Sequence, residues 1–156
     1  MAEPLSALLT REHRAIDAGI EAFMSGLDAG TARPESLHAA LQTLRRHIYL
    51  EETLLFPPIR AGGMAMPVFV MLREHGALWR TMDELTDLIA ADADPDVIRK
   101  TCRNLLEQLD QHNGKEEPVI YTHADAELPE PLEAEMAQFL ADGQMPPGWV
   151  CGHAVA

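Results

Sequence analysis

Basic side chains are scarce in this chain. Lys and Arg number 12 against 25 Asp and Glu, for a formal charge of −13. That balance leaves no basic face for a phosphate backbone, so nucleic acid is excluded as the expected partner. An anionic membrane surface is disfavoured on the same ground, and the acids read as a solvated surface that keeps a small protein from associating. Cysteine is nearly absent. Cys102 and Cys151 alone form no disulfide framework, which fits a reducing compartment. No stretch reaches the roughly 18–20 apolar residues of a membrane span. The opening MAEPLSALLTREH lacks the basic segment and the apolar length of a secretory signal. The expectation is a soluble cytoplasmic protein. Aromatic residues make up only 5% and no strand-like alternation is present, which leaves a helical core built on Leu, Ala and Met.

Four apolar stripes recur at steps of three and four. They run Leu5, Leu9, His13, Ile16, Ile20, Phe23; then Leu37, Leu41, Leu44, His47, Glu51, Leu55; then Val68, Leu72, His75, Trp79, Met82, Leu85, Ile89; then Ile98, Cys102, Leu105, Leu109, His112, Glu116, Ile120. Breakers separate them: Gly26 to Pro34 with Thr31 as a candidate N-cap, the Gly62-Gly63 pair, and Asp94-Pro95, an N-cap followed by proline at the first helical position. Pro57-Pro58 is expected to kink or end the second helix, and Pro118 to distort the fourth locally. Short loops between long helices imply an all-α, up-down-up-down four-helix bundle over residues 1–125. Residues 126–156 are expected to add a short helix near Leu132 to Leu140 and an irregular tail to the same domain.

The chain also repeats itself. Arg11-Glu12-His13 and Arg73-Glu74-His75 both open the pattern REHxAΦ, with Ile16 and Leu78 as the closing apolar residue. His47, Glu51, Glu52, Leu55, Phe56 and His112, Glu116, Glu117, Ile120, Tyr121 both spell HxxxEExxΦ plus an aromatic. The two pairs of histidines are 62 and 65 residues apart. A repeat of this size fixes the architecture before any other feature.

Loop midpoints turn the repeat into geometry. In an antiparallel hairpin, residues equidistant from the turn share a height. Successive histidines have midpoints at residue 30, inside the first loop, at 61, beside the Gly62-Gly63 break, and between 93 and 94, at the Asp94-Pro95 break. The four histidines therefore fall in one layer to within about one helical turn of roughly 5.4 Å. Each lies on an apolar stripe, so each points inward. Glu51 and Glu116 follow their histidines by four residues and share their faces. One inward histidine is ordinarily a satisfied core residue and one HxxxE step a solvated pair; four coplanar histidines with two duplicated steps require another account. Buried carboxylates without partners are very costly, and a pair of cations removes the cost. Nitrogen and carboxylate oxygen without thiolate favour iron or manganese, with zinc as a substitute. Six ligands from a two-fold repeat divide into two histidines per metal, with both carboxylates bridging. An oxo or hydroxo bridge and an exogenous small ligand complete the set.

These residues resemble the hemerythrin-like, or HHE cation-binding, family over roughly the first 125 positions. The resemblance implies a four-helix bundle around a non-haem di-iron centre held by His13, His47, Glu51, His75, His112 and Glu116. Oxygen-carrying members have a fifth histidine one turn along helix three, where this chain has Trp79 on one side and Met71 on the other. In those carriers the second bridging carboxylate follows its histidine by five residues, which here is Glu117; the internal repeat favours Glu116. The set of four histidines and two glutamates is similar to that of the repair-of-iron-centres proteins, associated with nitrosative and oxidative stress. Those also carry an N-terminal cysteine-bearing segment that this sequence does not show, which counts against a direct role in cluster repair as an expectation.

Three functions follow as expectations. The first is a di-iron protein binding dioxygen, nitric oxide or peroxide, or handling iron, in stress protection or sensing. The second is a di-iron oxidase, peroxidase or nitric-oxide-reducing enzyme. The third is a helical interaction module with a structural metal. Tyr49 and Tyr121 read as core packing, with hydrogen bonding to a ligand or bridge as the alternative. Cys102 reads as an inert buried thiol, His38 and His123 as surface, and Cys151-Gly152-His153 as a flexible end, with a ligand pair or redox thiol as the alternative.

Overall fold

Each apolar stripe folds into the helix its spacing implies. In the computed structural model, which describes residues 3–155, helix α1 spans Leu5–Ala29. Helix α2 begins as Pro34–Leu50 and runs without interruption through a π turn at Glu51–Leu55 into Phe56–Ala61. Helix α3 is Ala65–Ala90. Helix α4 follows the same plan as α2: Pro95–Glu116, a π turn at Glu117–Tyr121, then Thr122–Glu127. A fifth helix, α5, covers Glu130–Asp142, and residues 143–155 carry no helix. No strand occurs among the described residues. The ends of the two expected segments, residues 1, 2 and 156, lie outside the described residues.

Helix α1 packs on α2, α3 on α4, and α1 against α4 and α2 against α3 close the ring. The chain is thus an all-α four-helix bundle with an added C-terminal helix, as short antiparallel connections require. Local chemistry sets the turns. Asp94 caps α4 by accepting from the Asp96 amide at 2.7 Å. Gly30, in the left-handed region at φ 73°, ends α1 while the Thr31 amide donates back to the Gly26 carbonyl at 2.8 Å. Thr31 therefore closes α1 and does not cap α2. That helix starts with Pro34 at its first position and no side-chain cap, because the first-turn amides have no intrahelical partner and proline loses nothing there.

The prolines of α2 neither end nor break it. The π turn at Glu51–Leu55 lets the following α-helical segment start with proline in its first turn, where the missing N–H is spare. Pro118 sits inside the corresponding π turn of α4. Both π turns start within the acidic pair of their repeat, at Glu51 and at Glu117, so the two distortions lie beside the same layer.

Buried apolar side chains form two clusters, not one. One contains Ile16, Ile20, Leu44, Leu78, Met82 and Leu105. The other contains Leu5, Leu9, Leu55, Phe56, Met71 and Met136. The histidine layer lies between them in sequence on every helix of the ring, with apolar burial on both sides. Burying one large aliphatic side chain contributes about 1.5–3 kcal/mol, whereas an uncompensated buried ion costs several kcal/mol. A polar layer between two such clusters is a net cost to folding unless its charges are matched. Helix α5 covers the second cluster through Met136, with Leu132, Phe139 and Leu140 half-buried beside it.

Candidate metal centre

Helices α1 to α4 each contribute one histidine to the layer: His13, His47, His75 and His112, all 3% exposed or less. Glu51 from α2 and Glu116 from α4 stand between them, equally buried. Every imidazole turns its Nε2 inward. Glu116 lies 3.3 Å from His13 Nε2 and 3.4 Å from His112 Nε2. Glu51 lies 3.3 Å from His47 Nε2 and 3.1 Å from His75 Nε2. The ligand atoms converge in two groups, His13, His47, Glu51, Glu116 and His75, His112, Glu51, Glu116, within 4.8 Å of one another in each. Both carboxylates belong to both groups. All six residues singled out by the repeat are therefore together.

The outward ring nitrogens form a second pattern that the sequence reading missed. His47 Nδ1 meets Glu12 at 3.0 Å, His75 Nδ1 meets Glu52 at 2.8 Å, His112 Nδ1 meets Glu74 at 2.9 Å, and His13 Nδ1 meets Glu117 at 2.7 Å. Each carboxylate reaches the histidine of the next helix, so the four pairs make a closed circuit α1 to α2 to α3 to α4 to α1. An imidazole that donates its Nδ1–H outward presents the Nε2 lone pair inward, as a metal ligand must. The signal was in the sequence: Glu12 and Glu74 are the glutamates of the two REH motifs, and Glu52 and Glu117 the second glutamates of the two EE pairs. Glu116 thus faces the centre and Glu117 the rim.

The circuit is itself braced. Arg46 donates to Glu12 at 3.0 Å and to the carbonyls of Phe139, Leu140 and Gly143 at the end of α5. Glu74 pairs with Lys115, and Glu117 with Arg14 at 3.3 Å. Glu52 accepts from the Cys151 thiol at 3.1 Å and from the Gly152 amide at 3.3 Å. The tail is accordingly not a loose end. Cys151 is 3% exposed, the Trp149 ring packs edge-on against Trp79, and Arg80 donates to the His153 carbonyl at 2.9 Å.

Tyr121 takes the alternative role that its sequence reading offered, touching the candidate ligands as well as packing. Its hydroxyl donates to Glu51 Oε2 at 2.5 Å and sits 3.0 Å from Glu116 Oε1, His13 Nε2 and His47 Nε2. The ring stacks on His13 at 5.4 Å. Its repeat partner Phe56 stacks on His75 at 5.3 Å, with no hydroxyl to offer. On that side His75 Nε2, His112 Nε2, Glu51 Oε1 and Glu116 Oε2 are buried without a hydrogen-bond partner.

Burial penalises every charge in the layer, yet opposite charges outweigh it. Burial pushes His47 and His112 down, but Glu51 and Glu12 raise the first to about 10, and Glu116 and Glu74 raise the second to about 10. His75 is raised by Glu51 and Glu52 against the same opposing burial. Glu51 and Glu116 are held below the usual carboxylate range: burial and mutual repulsion push Glu51 up, burial pushes Glu116 up, and the facing imidazoles overcome both. Burial and both carboxylates push the Tyr121 hydroxyl well above the ordinary phenol range. Protons on the imidazoles thus do for the metal-free layer what cations would do for a loaded one.

The remaining sequence candidates lie elsewhere. His38 is exposed and His123 half-buried, both outside the layer. Tyr49 packs against Phe139 and Trp149. Cys102 is fully buried in the first cluster, with its thiol pushed up to about 11 by burial. Trp79 lies under the Arg45 guanidinium at 4.6 Å.

The four partnerless atoms are two imidazole nitrogens and two carboxylate oxygens on one buried point, so the residues present fit a cation. Fold and site together define a helical-bundle cation-binding protein with a histidine and carboxylate ligand set. A family model of the hemerythrin HHE cation binding domain matches residues 5–124, and the chain belongs to that family. Curated relatives include the iron-sulfur cluster repair protein YtfE of Yersinia pestis (strain Pestoides F) and that of Yersinia pseudotuberculosis serotype O:1b (strain IP 31758). Each is 36% identical over 72 residues, which is 44% of this chain and 33% of the relative. The match thus spans about a third of the length of those relatives. No solved structure matches the chain.

Proposed function

We propose that this chain is a non-haem di-iron protein of the hemerythrin family that takes up a small ligand such as dioxygen, nitric oxide or peroxide in stress protection or sensing. His13, His47, Glu51 and Glu116 would hold one iron, and His75, His112, Glu51 and Glu116 the other. The observation that carries this reading is the sharing of both buried carboxylates by two otherwise separate histidine pairs. A single cation uses one such group; two groups with a common edge suit two cations. Bound there, iron supplies Lewis-acid and one-electron chemistry towards small ligands.

The protein's own residues do the rest. Glu12, Glu52, Glu74 and Glu117 fix the tautomer and the angle of each imidazole. The two apolar clusters keep bulk water from the layer on both sides. The relatives named for iron-sulfur cluster repair favour a second reading, in which the irons are cargo handed on and not a resident ligand-binding pair.

Metal analysis with absorption spectra separates these outcomes. Anaerobically purified, iron-supplemented protein is expected to hold two irons per chain and to change its spectrum on exposure to dioxygen or nitric oxide. Protein without stoichiometric transition metal would end the di-iron reading. Iron that transfers to a chelator or an apo-cluster acceptor faster than the spectrum responds would favour the cargo reading.

A further inference from the structure

The two half-sites differ by one oxygen atom, and that atom is in an unusual position. A phenol hydroxyl has one proton and two lone pairs, so it forms at most three hydrogen bonds. The Tyr121 hydroxyl has four polar neighbours at 3.0 Å or less, and all four belong to one metal-binding group. Hydrogen bonding cannot satisfy such an arrangement, whereas a shared cation can. Ligands at right angles on one metal, with bonds of roughly 2.1 Å, lie about 3.0 Å apart. Tyr121 keeps that spacing from three of the four donor atoms and is closer to the fourth, Glu51.

Phe56 provides the control within the same molecule. It occupies the equivalent place in the repeat and stacks on His75 with an interplanar angle of 25°, against 24° for Tyr121 on His13. The ring positions match; only the oxygen is missing. Outside Phe56 lies a surface cavity of about 340 Å³ lined by Glu52, Phe56, Arg60, Val68 and Leu72.

We propose that the Tyr121 hydroxyl oxygen is a protein ligand of the His13–His47 half-site, and that the exchangeable position for a small exogenous ligand therefore belongs to the His75–His112 half-site beside Phe56. This rests on the dinuclear reading above. The hydroxyl proton leaves with those that the imidazoles release when metal binds. The single-oxygen difference makes a centre of unlike halves from a duplicated ligand set.

Loading the full chain with ferric iron tests this directly, because a phenol oxygen on ferric iron gives a visible charge-transfer band with tyrosine ring modes in resonance Raman. The band is expected in the wild type and lost in Tyr121→Phe, which copies the residue that its repeat partner already carries. Phe56→Tyr is expected to add a second contribution to the band and to weaken azide binding at least about tenfold, a loss of roughly 1.4 kcal/mol. Two bound irons with no band would overturn the proposal and leave the dinuclear reading standing. Unchanged azide affinity in Phe56→Tyr would overturn the assignment of the exchangeable position. Failure of the wild type to bind iron would sink both.

Discussion

The half of the layer made by His13 and His47 has a phenol hydroxyl at its centre, within 3.0 Å of all four potential ligand atoms. The half made by His75 and His112 has the same four atom types, and the ring beside them, Phe56, carries no hydroxyl. The surrounding plan is duplicated: an REH glutamate and an EE glutamate buttress the imidazoles on each side, and a π turn starts within each acidic pair. The comparison shows that the repeat specifies the ligand cage, while one oxygen on one aromatic ring distinguishes its two compartments. In the dinuclear reading proposed above, the unlike compartments would give one metal a protein ligand that its neighbour lacks.

Removing what the halves share has the largest expected effect. Glu116→Ala deletes a carboxylate common to both groups and leaves raised imidazoles without their partner. It should abolish metal uptake in both halves and destabilise the metal-free protein by about 3–5 kcal/mol. Glu117→Ala, one residue along, should retain two metals and weaken the His13 half alone by about 10–100-fold. Metal analysis and isothermal titration of both variants decide this; equal losses from the two would mean that the inner and outer roles are wrongly divided.

The next effect concerns a property that both halves possess. One ring in each, His47 and His112, is held up to about 10 in the folded, metal-free protein, above its ordinary 6.5. Folding therefore favours the protonated rings. The stabilisation is complete below about pH 6.5 and disappears as the pH rises through about 10. Thermal melts of metal-free protein should fall steadily over that window, while metal-loaded protein, whose rings have already lost their protons, should not follow. A metal-free melting temperature that rises with pH across the window would contradict the sign.

The smallest effect sharpens the comparison by touching one half only. A Cβ on Gly76 would stand 2.2 Å from the His153 carbonyl oxygen, so Gly76→Ala must lift the tail off α3. The expected cost is about 1–3 kcal/mol. Because Cys151 and Gly152 brace Glu52, which orients His75, metal affinity should weaken modestly in the His75 half and not in the other. Affinities that fall equally in both halves would show that the tail acts on the bundle as a whole.

Much of this was legible in the sequence. The four stripes place every histidine on a buried face, and loop midpoints at residues 30, 61 and 93–94 put them at one height, because helical rise and antiparallel pairing are fixed geometry. Other features were not legible. Pro57 and Pro58 read as a kink or an end, and the helix runs on through a π turn placed just before them. The outer roles of Glu12, Glu52, Glu74 and Glu117 were not legible either, since a sequence does not say that a carboxylate on one helix reaches the imidazole of the next. Cys151 is in a segment without periodicity, and its thiol finds Glu52, 99 residues away in the chain.

What the sequence determined by itself is the cage: which six inward residues share one layer, in two related halves, since residue spacing and turn position are local properties of the chain. What only the tertiary structure decided is the use of each duplicated residue. The second glutamates of the Glu51-Glu52 and Glu116-Glu117 pairs, like Glu12 and Glu74, turn to the rim and hold the imidazole of the next helix. The paired aromatics divide into a phenol inside one compartment and a hydrocarbon edge beside the other. Those outcomes depend on how four helices rotate against one another, and neighbours in sequence point in different directions once that rotation is set.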